Sequence, residues 1–503
     1  MNAHRLTALL GLTAVTFGVP VQAEEREHNG WPITVERFDA AGRSESWSAA
    51  GPLWFTQTKA GGDTVSGFRP FWVQTKDAQG DLRSAQSLYP LFDYSAEANT
   101  YRWTVFQLIN RSGRKAGAVP PRSLLEEREA FDVWPFWFSR RTADPATSYR
   151  ALLPLAGTIK HRLGYDRLSW TLFPFYVQSE KHGAVTTQTP WPLLRVTHGA
   201  ATGFALWPLF GWEERPGVSH DKFLLWPLGY DSTTQPQPDA PAGTPPRREF
   251  GALPFYTRTT GPGFVNEDFA WPFFGYTDRT LPDRYHETRY LWPFFVQGHG
   301  DERSVNRWGP FYTHSVIQGY DKTWIAWPLL RHATWTDAGL VQTKTQFLYV
   351  CYWSLEQRSA RNPSLPAAQL THIWPLFSSW DNGAGRSQWQ ALSPFEALFA
   401  NSEKVRSAWA PLFALIRHDQ SAPGEERTAL LWNAVTWERS VKEARAEFHL
   451  GPLLSVETNA QAKRVALARG LFGWQRGPTG SRWRMFWLDF PANPATVAVP
   501  PAP

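Results

Sequence analysis

Arg303-Ser-Val-Asn-Arg-Trp-Gly-Pro-Phe-Tyr-Thr-His-Ser-Val316, then Ile317-Gln-Gly-Tyr-Asp321, then Lys322-Thr-Trp-Ile-Ala-Trp-Pro-Leu-Leu-Arg-His-Ala-Thr-Trp-Thr336 is the stretch from which the fold can be read. Both long segments are rich in aromatic and β-branched residues, lack helical 3.6-residue spacing, and are bounded by Gly and Asp. Each carries at its centre the same phrase, an aromatic-proline step followed by two large apolar residues. Outward from here the phrase returns about every nineteen residues from Trp31 to Leu453, for example at Pro32, Pro90, Pro135, Pro208, Pro254, Pro293, Pro394, Pro411 and Pro452. Copies without the proline fill doubled steps, as at Val105-Phe106-Gln107-Leu108, Phe347-Leu348-Tyr349-Val350 and Leu431-Trp432-Asn433-Ala434. Two more close the series near Phe472 and Phe486. A fixed period of this kind makes the chain a repeat protein.

Each repeat reads as one long strand of about 12 to 14 residues and one turn, so the expectation is an all-β antiparallel meander of about 24 strands. The turns carry residues that accept positive φ, as in Gly61-Gly62-Asp63, Asp77-Ala78-Gln79-Gly80, Gly298-His299-Gly300-Asp301 and Asp381-Asn382-Gly383. Strands of that length reach about 40 Å. Proline lacks the N–H that an inner ladder needs. Each copy is therefore expected to mark a bulge, or a break between two half-strands, with the neighbouring Trp and Phe packed around the bend.

The chain has 503 residues, which alone would suggest about three domains, but an unbroken repeat points to one continuous body over 24–490. Residues 1–23 read as a secretory signal, with His4 and Arg5, an apolar run from Leu6 to Val21, and Val21-Gln22-Ala23 as the cleavage site. The loop insertions are 111–129, where Ser123 to Glu129 suits a short helical turn, 231–249, which is proline-rich, and 358–369. The tail 491–503 is expected to be disordered. Long loops on one rim and short turns on the other is the asymmetry of outer-membrane barrels.

A formal charge of +6 arises from scattered arginines and not from blocks, which fits solvated strand ends better than a nucleic-acid footprint, so no nucleic-acid partner is expected. A single cysteine, Cys351, excludes disulfides within the chain; lying among apolar residues, it reads as a buried inert thiol at a strand centre. No phosphate loop, zinc spacing or nucleophile elbow is present, so no catalytic, cofactor-binding or metal residue is assigned. His198, His299, His314, His332, His372 and His418 read as single structural or solvated residues on strand tips. Glu213-Glu214 and Asp301-Glu302 read as turn acids, because adjacent strand residues face opposite sides and glycosidase chemistry needs facing carboxylates. The 28 Trp, 33 Phe and 15 Tyr are the compositional signal. With most tryptophans preceding a proline at mid-strand, packing is expected over exposed platforms.

A β-propeller is set aside because four such strands would use far more than the 40 to 50 residues of a blade. The chain resembles outer-membrane β-barrels in its signal, even strand count, meander, aromatic enrichment and final strand Arg482 to Phe490. That resemblance implies a closed barrel about 50 Å across in a lipid bilayer, passing or exporting a solute or polymer or serving as a surface scaffold. The basic charge, the prolines and the tail after Phe490 depart from the pattern. They leave open an exported soluble β-repeat scaffold, open or layered, in the periplasm or outside the cell, binding carbohydrate or protein through an aromatic surface.

Overall fold

The computed structural model describes residues 26–490 except 40, 60, 116, 118–126, 400–401, 479 and 487. The expected signal, 1–23, the tail 491–503, and residues 116 and 118–126 of the 111–129 insertion lie outside the described residues. The described chain forms one antiparallel meander of 46 strands, each hydrogen-bonded to the next. Most strands have five or six residues, about 20 Å, not the 40 Å expected.

The prolines account for the doubled strand number. The Trp-Pro phrase does not crease a long strand; it reverses the chain. Strands Thr202–Leu206 and Phe210–Arg215 pair directly across Trp207-Pro208-Leu209, and the Leu209 N–H donates to the Leu206 carbonyl at 2.7 Å. The Trp207–Pro208 peptide is cis, which makes this a type VI turn. The same arrangement recurs at Trp31–Pro32, Trp226–Pro227, Trp271–Pro272 and Trp327–Pro328, among others. Where Gly51, Gly309 or Gly451 precedes the proline, that glycine takes a positive φ instead. In the copies without proline, pairs such as Phe106-Gln107, Leu348-Tyr349 and Ala468-Arg469 do so. Placed in a turn, the proline costs no ladder bond, which resolves the conflict that a mid-strand position would create. A repeat is thus two short strands, one aromatic-proline turn and one glycine or aspartate hairpin.

All aromatic-proline turns fall on one rim of the ribbon and the glycine hairpins on the other. The long loops 235–246 and 360–367 leave from the glycine rim, but the connection 392–415, longer than either, leaves from the proline rim, so long loops are not confined to one rim. Pro394 and Pro411 are corrections of a different kind. Between strands Ser387–Ala391 and Ile416–Ala422 the chain forms two short helices, α1 (Glu403–Ala408) and α2 (Ala410–Phe413), at the proline rim. Ser402 caps α1, accepting from the Val405 N–H.

Four strands use about 40 residues, so length does not exclude a propeller after all. Continuous pairing through all 46 strands does, because it leaves no separate blades. Nor is this a hydrogen-bonded barrel. Glu27–Gly30 pairs with Thr34–Phe38 alone, and Leu488–Phe490 with Gly480–Met485 alone. The ribbon is open, as in the alternative reading, and its two ends meet face to face. Asn29 donates to the Asn433 carbonyl at 2.8 Å, Arg69 to that of Ser407 at 2.7 Å, and Trp409 to that of Tyr89 at 3.0 Å. The first strand meets residue 433, and the later Arg69 and Tyr89 meet residues 407 and 409, the geometry of a strap whose ends are brought together.

The alternating faces of the sheet follow from the register. Arg195, Thr197, Gly203, Ala205, Gly211 and Glu213 share one face; Leu194, Val196, Phe204, Leu206, Phe210 and Trp212 share the other. Residues from both ends of the ribbon that touch, such as Glu27, Asn29, Thr436 and Glu447, all continue the first of these faces, which is therefore the inside of the strap. Apolar burial is modest. One cluster joins Phe55, Val65 and Val73 to Ala408 under the two helices, and another joins Tyr149, Ala151, Ile159, Trp170 and Val177.

Candidate functional site

Two surfaces stand out, and both come from the repeat. The first is the proline rim. Trp134, Phe136, Trp191, Leu209, Trp226, Phe273, Trp292, Phe294, Trp327 and Trp374 are exposed along it, and Phe255 and Phe311 reach 77% and 75% exposure. At many of these turns the flanking strand residue on the outer face is also large and apolar, as with Phe210, Leu224, Phe269, Phe274, Tyr290 and Phe295, all exposed. The rim tryptophans are therefore not core filling, as their mid-strand reading implied, whereas Trp170 and Trp353, away from the rim, are buried. Their apolar neighbours mark a rim and not a strand centre.

The second surface is the inner face, which is shielded and carries many polar groups beside the apolar clusters. Thr197, Asp268, Arg289, Ser315, Gln346, His372, Gln390 and Thr436 are buried there. Buried polar groups require partners, and Arg289 shows how they are met: it donates to Asp268 at 2.9 Å, Glu287 at 3.0 Å, Asn266 at 2.7 Å and Thr277 at 2.8 Å. Small residues make room for these groups. A Cβ on Gly211 would lie 2.5 Å from Ala205 and 2.6 Å from the Phe223 ring.

Where the ends of the strap meet, the inner face becomes an ion network. Glu27 is 1% exposed and accepts from Arg427 at 2.9 Å, Thr436 at 2.7 Å and Asn29 at 3.0 Å. Burial opposes its ionisation, but the charges of Arg427 and His449 and the Thr436 hydrogen bond outweigh burial and hold its pKa at about 2. Arg37 adds an ion pair to Glu438 at 3.1 Å. Farther along, the Arg69 guanidinium lies over the Phe55 ring at 3.2 Å. Burial, then the charge of Arg417, lowers its pKa to about 9.

The residues singled out by sequence are scattered. His314 contacts Asp321 at 3.0 Å, His418 contacts Thr428 at 2.8 Å and His332 contacts Thr345 at 3.2 Å; His198 and His299 are exposed. His372 departs from the strand-tip reading, being buried on the inner face against Trp353, with ring centroids 4.2 Å apart. Glu213 and Glu214 do point to opposite faces. Cys351 occupies a rim turn and is half-buried, not a strand centre. Among the described residues no group of three or more His, Cys, Asp or Glu is placed to hold a metal. Sequence reading passed over Glu27, Arg427, Glu447 and His449. The one available signal was alternation, since Arg445, Glu447 and His449 fall on one strand face.

No protein-family model matches the chain, and no curated protein matches it in sequence. No helix among the described residues is long and apolar enough to cross a membrane, a criterion that does not apply to strands.

Proposed function

We propose that the protein is a non-catalytic, exported membrane scaffold that sets its aromatic-proline rim into one leaflet of a bilayer, the outer membrane for an exported chain. Its polar inner face then lines a route for a solute or polymer. The observation that carries this reading is the concentration of exposed Trp and Phe along one rim and in the adjoining outer row, although exposed Leu occurs on both rims, beside an inner face that carries buried polar groups. Ordinary soluble surfaces scatter such residues, whereas Trp and Phe in a belt suit the interface between headgroups and acyl chains. Turn and first row together are about 10 Å deep, the depth of an interfacial element. Crossing needs about 9 to 11 residues per strand, so strands of five or six do not span.

Vesicle flotation tests the reading. Wild-type protein is expected to float with phosphatidylcholine vesicles, and the triple variant Phe255→Asp, Phe311→Asp, Trp327→Asp to stay behind with an unchanged circular dichroism spectrum. Wild-type protein that remains at the bottom of the gradient sinks the proposal. A second reading, a carbohydrate-binding scaffold, is favoured by Trp212, Trp437 and Trp483, which stand exposed on the outer face one row away from the rim. A glycan array that lights up in wild type and not in Trp437→Ala would select it.

A further inference from the structure

The free edge of the first strand, Glu27–Gly30, passes over the inner face near the other end of the ribbon and encloses a polar cavity of about 440 Å³. Arg464, Arg469 and Arg484 line it together with His28 and His449. We propose that this cavity binds a phosphate-bearing anion, and that at the membrane rim its source is a lipid headgroup; that source rests on the bilayer reading above.

Four observations lead there. First, Arg469 lies in a rim turn, between Lys463–Leu467 and Phe472–Gly477, where other repeats carry Trp-Pro. Here the pair Ala468-Arg469 makes the turn with φ of 51° and 57°, placing a guanidinium at a level otherwise occupied by aromatic rings. Second, the first strand is shaped to admit it: a Cβ on Gly30 would lie 1.6 Å from Arg469 Nη2. Third, among the described lining residues the cations outnumber the acids: Glu36 is the only carboxylate there, and the ion pair of Arg464 with Glu457, outside the lining, is a long 4.0 Å. Fourth, His449 is a buried imidazole, with 3% side-chain exposure, whose Nε2 has no hydrogen-bond partner and is 3.6 Å from a Glu447 oxygen. Guanidinium forks match phosphate oxygens in shape as well as charge, and the volume suits a phosphoryl headgroup better than a bare ion.

The full-length protein is titrated with phosphatidylcholine vesicles, with and without phosphatidylglycerol, and separately with inorganic phosphate by calorimetry. Phosphatidylglycerol is expected to tighten binding about tenfold, the scale of one charged hydrogen bond. R469Q should lose that preference and still bind neutral vesicles. Gly30→Val, which evicts the guanidinium, should behave like R469Q, while R43Q, which removes one charge on the opposite rim, should keep the preference. Inorganic phosphate binding that R469Q abolishes, with no vesicle preference, keeps the phosphate site and assigns it to a soluble ligand. If wild type binds no vesicles, the bilayer reading fails, and the phosphate titration alone decides the cavity. Equal loss in R43Q and R469Q, or no effect of R469Q on either probe, overturns the proposal.

Discussion

At the scale of single residues, the inner face sets unusual conditions for titratable groups, and His372 shows this most clearly. It is 1% exposed, neither ring nitrogen has a hydrogen-bond partner, and its ring rests on Trp353. Burial, reinforced by the charge of Arg406, depresses its pKa from 6.5 to about 4. Between those values the unfolded chain takes up a proton that the folded chain refuses, so stability is full above pH 6.5 and falls as pH drops toward 4. The loss amounts to about 3 kcal/mol. His372→Leu should remove that slope. Denaturant midpoints are expected to differ from wild type by less than about 1 kcal/mol at pH 7.5, with the variant the more stable at pH 4.5. A midpoint that falls equally in both proteins would show that another group is responsible. The sequence showed a histidine near a strand end but not which way the sheet curves, and curvature decides whether the ring meets water or Trp353.

At the scale of the element, the repeat was legible and its folding was not. Period, antiparallel order and glycine turns all follow from residue chemistry. The position of the reversal was hidden because Trp-Pro-Leu-Phe has the composition of a buried strand centre, and nothing local distinguishes an apolar turn from an apolar core. Only the proline argued otherwise, through its missing N–H, and its two readings, bulge or break, are equal in sequence terms. Short strands impose a further requirement on the inner face, where neighbouring side chains crowd. Gly211 faces Ala205 and Phe223, and a Cβ on Gly251 would lie 2.2 Å from the Tyr230 ring. Gly211→Val should cost about 1–3 kcal/mol, measured by chemical denaturation. The outward Val196→Gly faces solvent and should cost no more than about 1 kcal/mol, the strand penalty of glycine itself. Equal losses at the two sites would mean that the inner face is not crowded.

At the scale of the whole molecule, the unusual step is closure without a closing ladder. Neighbouring strands hold each other by backbone hydrogen bonds, but the two ends are held by side chains, with Glu27 at the centre of the contact. Its pKa, near 2 against an ordinary 4.5, means that the unfolded or opened form binds the proton more readily. The contact is therefore at full strength above about pH 4.5 and is lost as pH falls toward 2, by about 3 kcal/mol. Glu27→Gln removes the charge and leaves Arg427, itself 13% exposed, beside a neutral amide; breaking a buried pair from one side costs about 3–5 kcal/mol. Because the ladder does not depend on this contact, the strap should open without melting. Spin labels on exposed Thr58 and Lys463, in a Cys351→Ser background, are expected to give one narrow distance at neutral pH and a broad distribution toward pH 2. In Glu27→Gln the distribution should be broad already at pH 7, with the strand signal in circular dichroism unchanged. A narrow distance in that variant would place the hold elsewhere, on Arg69 and the helices α1 and α2. Loss of the strand signal together with the distance would mean that the ladder and the strap close as one cooperative unit.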